Sequence, residues 1–402
     1  MKILRNPQQL NGYELYFPYK YLKHGTDEYM PGYIKGDIDD DGGYAQIYKA
    51  RRAIFKPSDE STKSGVSVHL VKCKPFTDVC IKEVRLNITP EEEAAPQDIR
   101  KQIYEDEMNA ILYEAFLHAL LYKTLEKEGF PSAVPHIHEI LANTKGKADP
   151  TSPCDFESIW IVMEYVNGST LEKFLKRKLV PIRNGHSRMV TQASAETNEK
   201  ILIDVLIQLA MYLQILQEKV RFNHRDLKIN NLFVRHHGLD EHWKQTLTIP
   251  DIGAWNCIND IVMLDFGFSC IACGSGFDNP RATLVGAGSW FKTEHDCLKY
   301  GRDLGQFLYS LHCTFPLQDY VSPAFFDMLH KSMFAVRGDE RIDLLMGFAD
   351  DGSPLGGSGL PRSIKFNDGI YIFLRDSTVD IPGCSPTVFL KALSVYIDQQ
   401  ND

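Results

Sequence analysis

The chain has 402 residues, of which 44% are hydrophobic and 24% charged, a composition typical of a soluble globular protein with a full core. Its length favours two or three structural units. The net charge of −9 argues against a general nucleic-acid binder, because such proteins are usually basic. No apolar run approaches the roughly 18 residues that a membrane-spanning helix needs, and residues 1–17 lack the apolar block of a signal peptide.

The nine cysteines are odd in number and scattered along the chain. This usage favours reduced thiols in a cytoplasmic or similar compartment over a disulfide framework. Cys270 and Cys273, with His295 and Cys297 downstream, form a candidate zinc site. A second Cys-x-x-Cys pair is missing, so small buried thiols are the favoured interpretation.

The N-terminal part of the chain has the pattern of a sheet followed by one long helix. Residues 32–84 are strand-rich, with short β-branched or alternating runs at 44–50 and 79–84. Residues 99–128 predict a helix, because apolar and charged positions recur every three to four residues and Gly129 supplies a stop. Residues 158–166 then predict a buried strand.

Helices dominate the remainder of the chain. They are predicted at 171–178, 198–218, 299–312, 323–334 and 386–398, with two strands at 231–235 and 261–264. Residues 181–197 and 236–257 are interpreted as insertions, and 351–360 as a flexible loop by composition. Strands first and helices afterwards predict an α+β chain with a sheet-rich N-lobe over residues 1–166 and a helical C-lobe over residues 167–402.

Two motifs carry the chemistry of this chain. His224-Arg-Asp226-Leu-Lys-Ile-Asn-Asn231 matches HRD-x-x-x-x-N, and Asp265-Phe-Gly267 follows a short apolar run. Together they supply the carboxylate and amide groups that phosphoryl transfer requires. On these motifs the chain resembles the eukaryotic protein kinase family, from about Ile34 to about Leu311.

The resemblance implies a role for each motif residue. Asp226 would accept the proton of a substrate hydroxyl or orient that hydroxyl, and Lys228 would lie beside the transferred phosphate. Asn231 and Asp265 would hold Mg²⁺, with Mn²⁺ as an alternative, because hard cations take oxygen ligands. A lysine at position 228 resembles serine/threonine kinases more than tyrosine kinases.

Lys82 and a glutamate of the long helix form the next expected pair. The run Val79-Cys-Ile-Lys82 resembles the V-A-I-K strand, so Lys82 would hold the α- and β-phosphates of ATP. An ammonium on a flexible stem needs a carboxylate to fix it. Glu114 is the preferred partner, and Glu107, two turns earlier, is the rival.

The expected adenine and phosphate contacts involve mostly backbone. Met163 matches the gatekeeper position, and the backbone of Glu164 and Val166 would bond the adenine edge. Gly42, in the second glycine position of the phosphate-covering loop, and Gly43 are expected to lie over the phosphates.

Several features depart from the family pattern. Asp40 stands where the first glycine of the loop is expected, and Ala45 where the third is. No A-P-E follows Phe268, and the chain diverges beyond about residue 312. Asp303 is the candidate that braces the catalytic loop, residues 224–231. Arg225 is a candidate phosphate receiver, with possible acceptors at Ser275, Thr283 and Ser289. The insertions and trimming resemble kinases encoded by large DNA viruses.

The leading functional expectation is an ATP- and Mg²⁺-dependent serine/threonine protein kinase. A pseudokinase or scaffold and a small-molecule kinase are the alternatives. The expected partners are protein substrates, with no nucleic acid and no membrane span. The expected location is the cytoplasm, or a virion or host cytoplasm if the protein is viral.

Overall fold

The computed structural model describes residues 2–3, 8–10, 13–16, 30–41, 45–57, 70–72, 74–146, 152–182, 192–237, 245–249, 252–272, 283–285, 298–334 and 380–401. The chain divides into two compact units. The first comprises Met1–Ala119 and Pro135–Val166, and the second comprises Leu120–Val134 and Asn167–Asp402. The lobe boundary at residue 166 stays a prediction; contacts assign residues 120–134 to the second unit.

Within the described residues, the first unit contains a nine-stranded sheet with the order β1-β8-β9-β7-β5-β4-β3-β2, and β6 pairs with β5. Its strands are β1 (Lys2–Ile3), β2 (Gln8–Leu10), β3 (Tyr13–Tyr16), β4 (Met30–Asp41), β5 (Ala45–Pro57), β6 (Leu70–Lys72), β7 (Thr77–Arg85), β8 (Ile137–Thr144) and β9 (Phe156–Glu164). All pairings are antiparallel except β1 with β8.

Two helices follow β7: α1 (Pro90–Glu93) and the 31-residue α2 (Gln97–Lys127). The first begins at a capping box, in which the Thr89 side chain accepts from the Glu92 amide and the Glu92 side chain accepts from the Thr89 amide. Both faces of the sheet are buried. One cluster joins Met108, Ile111 and Ala115 of α2 to sheet residues such as Ile161, and the opposite cluster is built around Trp160.

The second unit is mainly helical. Its helices are α3 (Leu171–Lys178), α4 (Gln192–Val220), α5 (Arg302–Thr314), α6 (Pro323–Phe334) and α7 (Pro386–Asn401). Its strands are β10 (Gly168–Thr170), β11 (Leu232–Arg235), β12 (Thr246–Ile249), β13 (Gly253–Asn256), β14 (Asp260–Met263), β15 (Cys270–Ala272) and β16 (Thr283–Val285). They form a β10-β11-β14 sheet and two pairs, β12-β13 and β15-β16.

Helix α4 is the central helix of the second unit. In the described part of the chain, its segment Ala193–Val220 alone is long and apolar enough to cross a membrane by length and composition. Most of this segment is buried inside the protein, as in the core helix of a soluble protein, so it is weak evidence for a membrane span.

The predicted α+β class is confirmed, and several boundaries are corrected. The predicted C-terminal boundary of the insertion at 181–197 is wrong, because α4 already begins at Gln192. The insertion at 236–257 contains the β12-β13 hairpin. The short strands β1, β2 and β3 had no counterpart in the sequence prediction. The loop expected at 351–360 lies outside the described residues.

The cysteines agree with the expected reduced state at five described positions and disagree at one. Cys80, Cys154, Cys257, Cys313 and Cys384 are free thiols. Cys270 is disulfide-bonded, and a sulfur in a disulfide is not a thiolate ligand for zinc. Cys273, His295 and Cys297 of the candidate zinc site lie outside the described residues.

Candidate active site

The first group of candidate residues is an ion pair within the first unit. Lys82 lies on β7 and Glu114 on α2, with 2.6 Å between Lys82 Nζ and Glu114 Oε1. Both side chains are largely shielded from water, which strengthens the attraction between their charges. Glu107, the rival partner, instead accepts from the Asn87 amide at 3.4 Å. The structure therefore pairs Lys82 with Glu114.

His118 lies one turn beyond Glu114 on α2 and joins the helix to the segment before β8. Its Nε2 donates to the Pro135 carbonyl at 2.7 Å. Burial lowers the pKa of His118 to about 4, so the ring is neutral at pH 7. No motif in the sequence predicts a role for His118. Its four-residue spacing from Glu114, which puts both on one helix face, was the available signal.

Glu83, the neighbour of Lys82, points to the opposite face of the sheet and holds a buried polar cluster. Its carboxylate accepts from Lys35 at 2.5 Å, Ser158 at 2.8 Å and Trp160 at 3.0 Å. Burial alone would raise the pKa of Glu83, but these three donors lower it below its ordinary value. The cluster bonds β7 to the neighbouring β9 and to β4, which lies one strand farther on beyond β5, and so fixes the backbone that carries Lys82.

The second group of candidate residues lies in the second unit, around Asp226. Lys228 Nζ lies 3.1 Å from Asp226 Oδ2. The Asn231 amide nitrogen donates to the same oxygen at 2.9 Å and to the Asp226 carbonyl at 2.7 Å. Asp226 and Asn231 are buried, and the Lys228 side chain is partly exposed. The structure thus brings these three predicted residues together.

Strand pairing brings Asp265 close to this loop. Strand β11 begins directly after Asn231, β14 ends two residues before Asp265, and Leu232 pairs with Met263. The Leu264 amide donates to the Asn231 carbonyl at 2.9 Å, which continues the pairing toward Asp265. Asp265 has a φ of 59°, a left-handed conformation that costs a non-glycine residue about 1 kcal/mol or more. The surrounding contacts hold this conformation.

His224 and Phe266 pack together beneath the loop. The His224 Nε2 donates to the Leu264 carbonyl at 3.0 Å, and its ring lies 5.3 Å from that of Phe266. The Ser269 hydroxyl donates to the His224 carbonyl at 3.1 Å. The two motifs of the sequence are therefore joined through buried side chains as well as through strands.

Asp303, the predicted brace, lies at the start of α5 and is fully buried. Its carboxylate accepts from the amides of His224 at 2.9 Å and Arg225 at 3.0 Å. It also accepts from the Asn223 side chain at 2.9 Å. Two of these bonds give acceptors to backbone amides at a point where Arg225 has a φ of 64°. The expected contact between Asp303 and the loop is confirmed. The sequence analysis missed Asn223.

The donor set around Asn231 and Asp265 fits a hard divalent cation. Among the described residues, the Asn231 side chain forms hydrogen bonds through its nitrogen, so its oxygen can serve as a ligand to the cation. Asp265 is exposed, so its carboxylate is accessible. No group of three His, Cys, Asp or Glu in the described part of the chain could hold a metal by itself. Phosphate oxygens would have to complete the coordination.

The remaining predicted contacts are described only in part. The Glu164 amide donates to the His136 carbonyl at 2.8 Å, so this amide is already engaged within the first unit. Met163 and Val166 are buried. Gly42 and Gly43 lie outside the described residues, and their phosphate contacts stay a prediction.

The chain after Phe268, which corresponds to the activation segment of the kinase family, is also described only in part. The Arg225 guanidinium donates to the Phe268 carbonyl at 3.4 Å. Ser275 and Ser289 lie outside the described residues, and Thr283 is described only through its backbone pairing with Ala272. Their role as phosphate acceptors stays a prediction.

Comparison with known families gives one match. Residues 138–261 match the model of the family described as protein tyrosine and serine/threonine kinase. The matched segment runs from β8 to β14 and includes Asp226, Lys228 and Asn231. No curated protein sequence matches the chain.

Proposed function

Because residues 138–261 match the model of the family described as protein tyrosine and serine/threonine kinase, we propose that the chain is an ATP-dependent serine/threonine protein kinase. The family match supports a phosphotransferase that acts on protein. The observation that carries the finer proposal is the cluster in which Lys228 and Asn231 both contact the Asp226 carboxylate. In this cluster the Asp226 carboxylate is an oriented base, and the Lys228 ammonium places a positive charge beside it.

In the proposed reaction, a serine or threonine hydroxyl oxygen forms a bond to the γ-phosphorus of ATP. The bond from that phosphorus to the β–γ bridging oxygen breaks, and ADP leaves. Asp226 accepts the hydroxyl proton or orients the hydroxyl before transfer. Lys228, 3.1 Å from Asp226, offsets negative charge on the transferred phosphate.

We propose Asn231 and Asp265 as the residues that hold Mg²⁺, with Mn²⁺ as the alternative cation. A bound divalent cation neutralises charge on the phosphate oxygens. The Asn231 nitrogen bonds to Asp226, so one side chain links the cation ligand to the proposed base.

Lys82 is the proposed ligand of the α- and β-phosphates, held in place by Glu114. The Glu164 carbonyl and the Val166 backbone are the proposed adenine contacts, with Gly42 and Gly43 covering the phosphates. Lys228 is the feature that supports serine/threonine over tyrosine specificity.

The test is transfer of labelled γ-phosphate from Mg-ATP to the protein itself and to unstructured protein acceptors, followed by identification of the labelled amino acid. Asp226→Asn should lower kcat by about 100-fold or more, because general-base catalysis is lost. Glu114→Gln should lower kcat/KM for ATP by about tenfold or more, because Lys82 loses a charged partner. Glu107→Gln is the matched control on the same helix and should retain wild-type values.

The other outcomes separate the alternatives. A wild-type protein that shows a Mg-ATP thermal shift, lost in Lys82→Met, but labels no acceptor would be a pseudokinase. Labelling confined to metabolites in a mixed acceptor screen would identify a small-molecule kinase. Label on tyrosine would contradict the assigned specificity.

We also propose a cytoplasmic location with protein substrates and without a nucleic-acid or membrane partner. The five free cysteines support a reducing compartment. The disulfide at Cys270 is the observation against it. The resemblance to kinases of large DNA viruses stays a prediction.

A further inference from the structure

Residues Asp380–Ser385, here called the C-terminal clamp, pack against the start of α5. The Ile381 amide donates to the Tyr300 carbonyl at 2.8 Å. In return, the Tyr300 amide donates to Asp380 Oδ1 at 2.8 Å. A short 3-10 helix, Pro382–Cys384, then leads into α7. The clamp therefore bonds to the residues that immediately precede α5.

Gly301 allows this contact, because the two backbones approach too closely for a side chain. A Cβ atom at Gly301 would lie 1.9 Å from the Ile381 carbonyl oxygen and 2.8 Å from the Ser385 nitrogen. Gly301 also has a φ of 77°, a conformation that only glycine adopts without strain. One turn later, a Cβ at Gly305 would lie 2.8 Å from Ile381 Cδ1, the end of a flexible side chain, and 3.9 Å from Cys384 Sγ.

The opposite side of the same short segment holds the catalytic loop. Lys299 and Asn223 exchange two hydrogen bonds: the Lys299 amide donates to Asn223 Oδ1 at 2.6 Å, and Asn223 Nδ2 donates to the Lys299 carbonyl at 3.1 Å. Asp303 accepts from the amides of His224 and Arg225. Residues 299–303 are thus bonded to the clamp on one side and to the catalytic loop on the other.

The clamp is itself anchored within the second unit. The Cys384 thiol donates to the Ser332 carbonyl of α6 at 3.4 Å, and Cys384 is fully buried. Helix α7, which follows the clamp, is joined to α4 by a 2.6 Å hydrogen bond from the Tyr396 hydroxyl to Glu199. The clamp is therefore fixed within the second unit, and a change in its position would also move residues 299–303.

We propose that the C-terminal clamp positions the catalytic loop, with Gly301 and Asp380 as positioning residues that act through Asp303. The effect on phosphoryl transfer rests on the proposed kinase function, whereas the effect on loop structure does not. The clamp lies far outside the segment 138–261 that matches the kinase family, so this part of the chain gains a role that the match does not provide.

The first experiment compares Gly301→Ala with Gly253→Ala in the full chain. Gly253 has a φ of 85°, but nothing among the described residues lies within 4 Å of its Cβ position, so its variant carries the backbone strain without the collision. Gly301→Ala should lower kcat on the order of 100-fold, as expected for a misplaced catalytic group, while the Kd for Mg-ATP changes less than about threefold. Gly253→Ala should keep the wild-type kcat.

Hydrogen–deuterium exchange gives a readout that needs no catalysis. The amides of His224 and Arg225 donate to Asp303. Peptides that contain them should exchange faster in Gly301→Ala than in Gly253→Ala, since loss of the clamp contact loosens Asp303. Equal exchange in the two variants would overturn the proposal.

The second experiment compares Asp380→Ala with Asp380→Asn, two milder variants on the exposed side of the clamp. Asp380→Ala removes the acceptor for the Tyr300 amide and should lower kcat about tenfold, the effect of one hydrogen bond of ordinary strength. Asp380→Asn retains an acceptor oxygen and should restore kcat. Failure of this rescue, or a Kd for Mg-ATP that weakens in step with kcat, would overturn the positioning role. A wild-type protein that transfers no phosphate would overturn the proposed kinase function, and the exchange measurement would still decide the role of the clamp.

Discussion

At the scale of single residues, helix α2 carries two groups, one turn apart, that bond to different parts of the first unit. Glu114 bonds Lys82, and His118, one turn later, bonds the Pro135 carbonyl. The second bond fixes the helix against the segment that leads into β8. Burial disfavours the charged form of His118, so the donor in this bond is a neutral ring at pH 7.

His118→Gln should remove part of the acid sensitivity of the fold. The folded pKa of His118 is about 4 and the ordinary value is 6.5, so the unfolded chain binds a proton first as pH falls. The free energy of unfolding is therefore highest above pH 6.5 and falls between 6.5 and about 4, by about 3 kcal/mol in total. Glutamine can still donate to Pro135 and does not titrate.

The measurement is urea unfolding of both proteins across that pH range. Burial lowers the pKa of His312 to about 4 as well, so His312 also contributes to the loss of stability at low pH. The wild type should therefore lose stability faster than the variant as pH falls, and the variant should keep the part that His312 contributes. An unchanged slope in His118→Gln would show that the folded protein protonates this ring as readily as the unfolded chain does.

At the scale of elements, the β12-β13 hairpin is held to α4 by one buried carboxylate. Asp204 accepts from Gln208, from the Trp255 indole, from the amides of Ile258 and Asn259, and from the Asn259 side chain. Burial raises the pKa of Asp204, and the donors act in the opposite direction. The hairpin is therefore an integral part of the second unit.

Asp204→Ala should lower the free energy of unfolding by about 3 kcal/mol or more, because it leaves the buried Gln208 and several part-buried donors without an acceptor. Trp255→Phe removes one donor and keeps the ring, so it should cost only about 1 kcal/mol. Urea denaturation of the two variants provides the comparison. A loss in Asp204→Ala no larger than that in Trp255→Phe would contradict the role of Asp204 as the anchor.

The sequence predicted elements well where one face of a long segment is apolar. Helix α2 was placed from its three-to-four spacing, and β7 from its β-branched run. The β12-β13 hairpin was missed because its buried contacts go to Asp204, a residue of a distant helix, so its local pattern is short and mixed. Strand β1 was missed for a similar reason, because two residues pair with β8 far along the chain.

Within the candidate site, the sequence identified the groups but not their supports. Asp226, Asn231 and Asp265 follow from the two motifs, and the Lys82–Glu114 pair follows from the resemblance to the kinase family, since helix periodicity alone left Glu107 as a rival. The supports, such as Asn223 and Gly301, act through tertiary contacts with residues about 80 positions away. No local sequence pattern records such contacts.

At the scale of the whole molecule, the C-terminal helix α7 is part of the core of the second unit. The Tyr396 hydroxyl donates to Glu199 of α4, and the Ser322 amide before α6 donates to the other oxygen of the same carboxylate at 2.6 Å. The rings of Phe325 and Tyr396 pack 5.1 Å apart. Three helices therefore meet at one buried glutamate.

Tyr396→Phe should lower the free energy of unfolding by about 2 kcal/mol, because Glu199 loses a buried donor while the ring still packs. Val395→Ala, on the exposed side of the same helix, should change it by less than about 0.5 kcal/mol. Thermal denaturation of each variant tests the difference. Equal effects would mean that the hydroxyl adds nothing to the attachment of α7.

Lys82 and Glu83 are adjacent, yet each has its own oppositely charged partner on a different face of the sheet. A slip of β7 by one position would exchange the two faces. A slip in one direction would place Glu83 at the position of Lys82, facing Glu114, and a slip in the other direction would place Lys82 at the position of Glu83, facing Lys35, so either slip replaces an attraction by a repulsion. The two charges thus protect the nascent sheet against misfolding into a neighbouring register, a hazard that apolar residues of similar size would leave open.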